Sequence, residues 1–193
     1  MGLFDLSFRF DFWFDALPAS PQEDGSVRAC VLRTGRGQRA RVKSIEVSPK
    51  AGVHGDSWID HPHSAPGNQV ALINWHVIQS LANGDAERAA LSGDNLQVDL
   101  DLSEANLPVG TKLYAGTSIL RVSELNHRPC LAFFQRFGAA GAKKVARANR
   151  RGLRGRGVLC SVEQAGVIRV GDRLRAERPV IPILVSATAS PGH

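Results

Sequence analysis

The chain lacks any run of about 18 or more apolar residues, the length a helix needs to cross a bilayer. Its N-terminus also lacks a basic region followed by an apolar stretch and a cleavage site, so a cytoplasmic protein with no membrane association is expected. Cysteine is scarce, with three residues at positions 30, 130 and 160. An odd number at wide, irregular spacing makes neither a paired disulfide framework nor a CxxC metal site, and reduced thiols follow. Aromatic residues are not interleaved with the basic ones and no RNA-binding signature occurs, which argues against a nucleic-acid partner. Flavin, haem and iron–sulfur motifs are missing too, so any redox role needs electrons from a separate protein.

What is present describes one compact domain. The 193 residues are 43% hydrophobic and 22% charged, enough to bury a core without disulfide or metal staples. Short apolar runs at 27–33, 41–48, 69–73, 95–100, 112–114, 118–123, 158–162 and 173–177 are separated by Gly, Pro and Asp turn signals. This pattern predicts a mostly β fold, a barrel with a few peripheral helices. Two segments read as helices. The first is 74–81, capped by Asn74 and continuing after Asn83-Gly84 to Leu91; the second runs from Phe133 to about Arg151 and is broken by Gly138 and Gly141. Between positions 4 and 14 apolar residues alternate with mostly polar ones, which predicts an edge strand or an arm packed on a second subunit. The expected organisation is an N-terminal strand arm and linker at 1–24, a barrel at 25–178 and a frayed tail at 179–193.

The net charge of +6 and pI near 9.8 favour an anionic partner. Lys143, Lys144, Arg147, Arg150, Arg151, Arg154 and Arg156 concentrate that charge in one region. Most of it reads as a solvated basic face, with the arginines nearest the following strand suited to a bidentate phosphate contact. Just upstream, Leu125-Asn126-His127-Arg128-Pro129-Cys130 places a thiol after a proline, amid His and Arg side chains that favour a thiolate. A buried structural thiol is the other reading of Cys130, and is the preferred one for Cys30 and Cys160, which sit inside apolar strand-like runs.

Further landmarks are Gly52-Val53-His54-Gly55-Asp56, Gln69-Val70-Ala71-Leu72-Ile73, Leu91-Ser92-Gly93-Asp94-Asn95-Leu96, Leu107-Pro108-Val109-Gly110, Arg136-Phe137-Gly138 and Gly166-Val167-Ile168-Arg169-Val170-Gly171-Asp172. His54-Gly55-Asp56, Gly93-Asp94-Asn95 and Val170-Gly171-Asp172 also read as simple turns. In this order, with Cys130 among them, they resemble the MOSC domain, the family named after the C-terminal domain of molybdenum-cofactor sulfurase, from about Gly25 to Arg175. Asp94 stands where the family's element carries Glu, and residues 57–68 form a long insert. The nearby His61 and His63 lack the fixed spacing of a metal motif and read as solvated.

The resemblance implies a β-barrel whose Cys130 either ligates the molybdenum of molybdenum cofactor (molybdopterin) or carries sulfur as a persulfide. It also implies that His54, Gly55, Asp56, Asn95, Asn126, Arg128, Arg136, Arg151 and Arg154 line the cofactor site. With the cofactor, the chemistry would be two-electron reduction of N-hydroxylated or related substrates. As a sulfur carrier the chain would depend on a separate cysteine desulfurase, the holder of pyridoxal phosphate. A third reading is a non-catalytic binder of a phosphorylated small molecule. Assembly into a homo-oligomer through the N-terminal strand is a further expectation.

Overall fold

The computed structural model describes residues 8–180. In chain order the described elements are α1 (Phe8–Asp15), β1 (Asp24–Gly35), β2 (Gln38–Val42), β3 (Ser44–Ser48), β4 (Gly52–Val53), β5 (Val70–Asn74), α2 (Trp75–Ala82), α3 (Ala86–Ala90), β6 (Leu96–Asp99), β7 (Lys112–Ala115), β8 (Ser118–Val122), α4 (Leu131–Arg150), β9 (Val158–Gln164), β10 (Gly166–Arg169) and β11 (Arg173–Glu177). No described helix is long and apolar enough to cross a membrane.

Seven strands close into a barrel in the order β1, β11, β7, β8, β9, β5, β6 and back to β1, with β2 continuing from β1. Closure removes the free edges of an open sheet. The 12-residue β1 makes it possible: its start pairs with β11 through Asp24 and Arg175, its middle with β6, and its end with β2 through Cys30 and Val42. Only β5 and β6 run parallel within the barrel, and α2 and α3 make the crossover between them. A small second sheet joins β10, β3 and β4.

Burial follows the period-2 pattern wherever a strand has one wet face. In β11 the sequence Arg-Leu-Arg-Ala-Glu alternates exposed and buried, with Leu174 and Ala176 inside. The apolar run of β5 is buried throughout instead, because it has cores on both faces. Leu72 points into the barrel core with Leu96, Leu120 and Val158, while Ile73 joins a second cluster with Ile78, Phe133, Phe137 and Val145. That second cluster seats α2 and α4 against the barrel.

The expected helices form for the expected reasons. Asn74 caps α2, its Oδ1 accepting from the amides of His76 and Val77, and Asn83 ends the helix in a left-handed conformation. Helix α4 begins at Leu131 and is broken at Gly138, whose φ of 73° and ψ of 172° are not helical, whereas Gly141, also expected to break it, is helical and buried.

The alternation at positions 4–14 misleads. Residues 4–7 lie outside the described residues, and Phe8–Asp15 is a helix, not a strand. Its partners decide this. Trp13, Phe14 and Leu17 pack on the second core cluster, Trp13 Nε1 donates to Ser80 Oγ at 2.8 Å, and Arg147 Nε of α4 donates to Asp11 Oδ1 at 3.1 Å. A helix turns consecutive residues by about 100°, so Phe12 faces solvent at 66% exposure while Trp13 and Phe14 face inward. Tertiary contact has overridden a strand-like pattern of only a few residues.

Candidate functional site

Residues 124–129 leave β8 as an irregular strap and deliver Cys130 to the first position before α4. Proline at 129 favours extended backbone in the residue before it. Cys130 is itself extended, with φ −90° and ψ 173°, and its carbonyl accepts from the Phe134 amide at 3.0 Å. The strap is pinned from behind by Asn149, whose Nδ2 donates to the His127 carbonyl at 2.8 Å while its Oδ1 accepts from the Arg156 amide at 3.0 Å. The thiol is exposed and makes no capping bond.

The other two cysteines are enclosed. Cys30 and Cys160 are 1% and 0% exposed, and burial pushes each thiol up to about 12. At neutral pH only about one part in 10⁵ of such a thiol is ionised. Alkylation of the native protein with iodoacetamide at pH 7.5, followed by peptide mapping, should therefore modify Cys130 alone, with Cys30 and Cys160 reacting only after denaturation. Labelling of either buried thiol at a comparable rate would contradict this arrangement.

Beside the strap lies a cavity of about 930 Å³, walled by the strap, by residues around Glu104 and Val109, and by the end of α4 with the start of β9. Three of the residues expected at the site, Asn126, Arg128 and Arg154, line it together with Arg150 and His127. Arg154 is tied down, its Nη1 donating to the Leu107 carbonyl at 2.7 Å. Arg128 and Arg150 are exposed residues of the cavity lining. Two carboxylates, Glu104 and Glu124, complete the polar lining.

Asp56 and Asn95 meet elsewhere, in a buried network. Asp56, 5% exposed, accepts from the Arg33 amide and Arg33 Nε, each at 2.8 Å, from the Trp58 amide at 2.8 Å and from Asn95 Nδ2 at 2.9 Å. Asn95 Oδ1 accepts from the Ala71 amide and from Arg33 Nη2, both at 3.2 Å. With their hydrogen-bonding capacity used inside the protein, these two side chains hold the 55–58 loop to β1 and β5. Next in sequence, fully buried Asp94 accepts two 2.7 Å bonds from Arg156 Nη1, and Arg156 Nη2 donates to the Ser92 carbonyl at 3.1 Å.

His127 joins the network to the cavity. Its Nδ1 lies 3.7 Å from Asp94 Oδ1 and is buried without a hydrogen bond, while the residue lines the cavity wall. Burial, followed by the Arg156 and Arg33 cations, lowers its pKa well below 6.5. The ring is neutral at physiological pH and adds no positive charge beside Cys130, contrary to the sequence-based expectation.

The remaining expected residues scatter. His54 is exposed on a turn, its Nε2 2.9 Å from Ser48 Oγ, and Gly55 beside it has φ 75°. Arg136 Nη1 donates to the Leu91 carbonyl at 2.8 Å. Arg151 is paired with α1, through Asp15 Oδ1 at 2.8 Å and the Asp11 carbonyl at 3.4 Å, and does not line the cavity. The 57–68 insert folds on itself, Trp58 Nε1 donating to Asn68 Oδ1 at 2.6 Å, and among the described residues no group of three His, Cys, Asp or Glu is placed to hold a metal ion. Sequence reasoning missed Arg33 and Arg39. Arg33 reaches Asp56 across 23 residues, and only the path of β1 brings them together.

A closed seven-stranded barrel that presents one exposed cysteine where a loop enters a helix defines the class of protein. A sequence model of the MOSC domain matches residues 61–175, and the chain belongs to that family. Among solved structures it is similar to the YuaD protein from Bacillus subtilis, with a TM-score of 0.58 and 15% identity over 79% of this chain and 95% of that one. It is also similar to YiiM from Escherichia coli, with a TM-score of 0.54 and 19% identity over 80% of this chain and 71% of that one. YiiM from Geobacillus stearothermophilus gives 0.52 and 17% over 79% and 75%. At such identities the likeness is one of fold. No curated protein matches the sequence.

Proposed function

We propose that this MOSC-domain protein binds molybdenum cofactor beside the strap, with Cys130 supplying a thiolate ligand to the metal. The observation that carries the reading is the exposed thiol at the end of a strap whose other residues wall a cavity of about 930 Å³ carrying Arg128, Arg150 and Arg154. The donor set suits the group: a soft sulfur ligand for the metal and guanidinium groups for a phosphate.

When bound, the cofactor would supply two-electron redox chemistry, such as oxygen removal from an N-hydroxylated substrate. The chain's own residues bind and orient. Arg128 and Arg150 hold the phosphate, and Asn126 offers both a donor and an acceptor to the edge of a heterocycle. Arg154, anchored on the Leu107 carbonyl, gives the cavity a rigid cationic wall. His127 presents a neutral ring, which leaves the local charge balance to the arginines. Electrons would come from a separate electron-transfer protein.

Protein expressed in cells that make the cofactor should carry molybdenum and pterin near one equivalent, measured by elemental analysis and by fluorescence of the oxidised pterin. Cys130→Ser should lose at least tenfold in molybdenum, and Arg128→Gln with Arg150→Gln should lose the pterin as well. Wild-type protein free of both would overturn the reading.

The exposure of Cys130 also favours a second reading, a sulfur carrier, because a protein donor can reach it. There the Cys130 thiolate would attack the outer sulfur of a desulfurase persulfide, forming a new S–S bond as the donor cysteine leaves as a thiolate. One equivalent of thiocyanate on cyanolysis, lost in Cys130→Ser, would identify that role.

A further inference from the structure

We infer that the outward face of the first turn of α4, formed by Leu131 and Phe134 next to the Cys130 thiol, is the docking surface for a small acidic electron-transfer protein. The inference names the partner of the site proposed above and rests on the reading that Cys130 holds a redox-active metal.

Helix α4 carries apolar residues on two faces. Phe133, Phe137 and Val145 belong to the second core cluster, and that is the face the fold uses. Leu131 and Phe134 stand outside it, at 72% and 47% exposure. Residues three apart on a helix are neighbours, so the two make one patch. Phe134 also sits one turn above Cys130, its amide bonded to the Cys130 carbonyl at 3.0 Å. An exposed thiol with an exposed leucine and phenylalanine in the same turn is apolar surface that the folded core does not employ.

Charge selects the partner. Between Glu124 and Glu163 the chain has no carboxylate, so the strap and all of α4 carry only positive side chains. Asp11 and Asp15 of α1 answer Arg147 and Arg151 at the far end of the helix. Arg128, Lys143 and Arg150 are exposed. An acidic rim on the partner complements this surface and speeds encounter, while the apolar pair supplies the dry centre of the contact. The size fits as well. Electron-transfer encounters are weak and bury less than about 1,200 Å² in all, so two large side chains suffice as their centre. A lipid surface suits the face less well, because beyond Phe134 it continues as exposed Gln135 and Gly138, where the helix breaks. A carrier seated here brings its redox centre up to the thiol that holds the metal.

Calorimetric titration of the full chain with a flavodoxin and, separately, with a plant-type ferredoxin, both acidic carriers, tests the assignment. At least one should bind saturably at one per chain, about tenfold more weakly when chloride rises from about 50 to about 300 mM, and the basic carrier cytochrome c should not bind. Leu131→Ser and Phe134→Ser should each weaken binding at least fivefold with an unchanged melting temperature, because both side chains are exposed. Val170→Ser, which removes a comparably exposed apolar residue from the β10–β11 turn, should bind as the wild type does. Cys130→Ser, which gives up the metal ligand, should still bind. Binding by wild-type protein found free of molybdenum would therefore leave the docking surface standing while the cofactor reading falls, and molybdenum-loaded protein that binds neither acidic carrier would sink the docking surface alone. Wild-type affinity in Leu131→Ser and Phe134→Ser, equal loss in Val170→Ser, or indifference to salt would also overturn the proposal. So would cosedimentation with phosphatidylglycerol vesicles that Leu131→Ser abolishes, which would assign the face to a membrane.

Discussion

Replacing Arg156 with methionine should lower stability by about 3–5 kcal/mol, because it leaves Asp94 as an uncompensated charge in the interior. Asp94 is 0% exposed and Arg156 4%, and Arg156 Nη1 meets both carboxylate oxygens at 2.7 Å. The guanidinium also lies 4.6 Å from the centre of the Phe133 ring, so its loss loosens the seat of α4 as well. For a chain of this size each kcal/mol corresponds to about 2–4 °C in melting temperature, so a fall of roughly 6–20 °C is expected in a calorimetric scan. Removing both charges with Asp94→Leu and Arg156→Met should recover much of the loss, since a buried pair gives back in attraction little more than its desolvation costs. A single variant melting with the wild type would mean that water reaches Asp94.

Gly157→Ala should be still more damaging and is expected to prevent folding or to cost more than about 4 kcal/mol. Gly157 has φ 91°, and a Cβ there would lie 1.9 Å from the Leu72 carbonyl oxygen and 3.0 Å from the Ile73 Cα. Those atoms are backbone of β5, which pairs with β9 through Leu72 and Val158 and is packed by a core on each face. Neither strand has room to yield. Gly37→Ala is the control: φ is 80° there too, but nothing lies within 4 Å, so only the conformational penalty of roughly 1–2 kcal/mol remains. Comparable circular dichroism melting curves for the two variants would show that β5 moves more freely than its burial suggests.

These two positions also mark how far the sequence alone reaches. Strand-like runs, the Asn74 cap, the helix ahead of the basic cluster and the thiol after Pro129 were all legible, because each depends on neighbours within a few residues. The ordered glycine and proline landmarks pointed to the MOSC family for the same reason: turns are local. By contrast, β4 and β10, of two and four residues, carry too little pattern to be seen before their partner β3 is in place.

Tertiary structure alone decided which charges are free. Arg151 and Arg154 looked equivalent in a run of seven cations, yet one is held by Asp15 of α1 and the other by the Leu107 carbonyl at the cavity wall. His127 seemed a source of positive charge, and burial near Arg156 made it neutral. Phe8–Asp15 alternated like a strand and folded as a helix, because Trp13, Asp11 and Asp15 found partners on α2 and α4 and in Arg151 beyond. Backbone preference and turn chemistry are properties of a few successive residues and can be read in order. Ion pairing, desolvation and the meeting of Arg33 with Asp56 or Arg156 with Asp94 depend on distances that exist only once the barrel has closed.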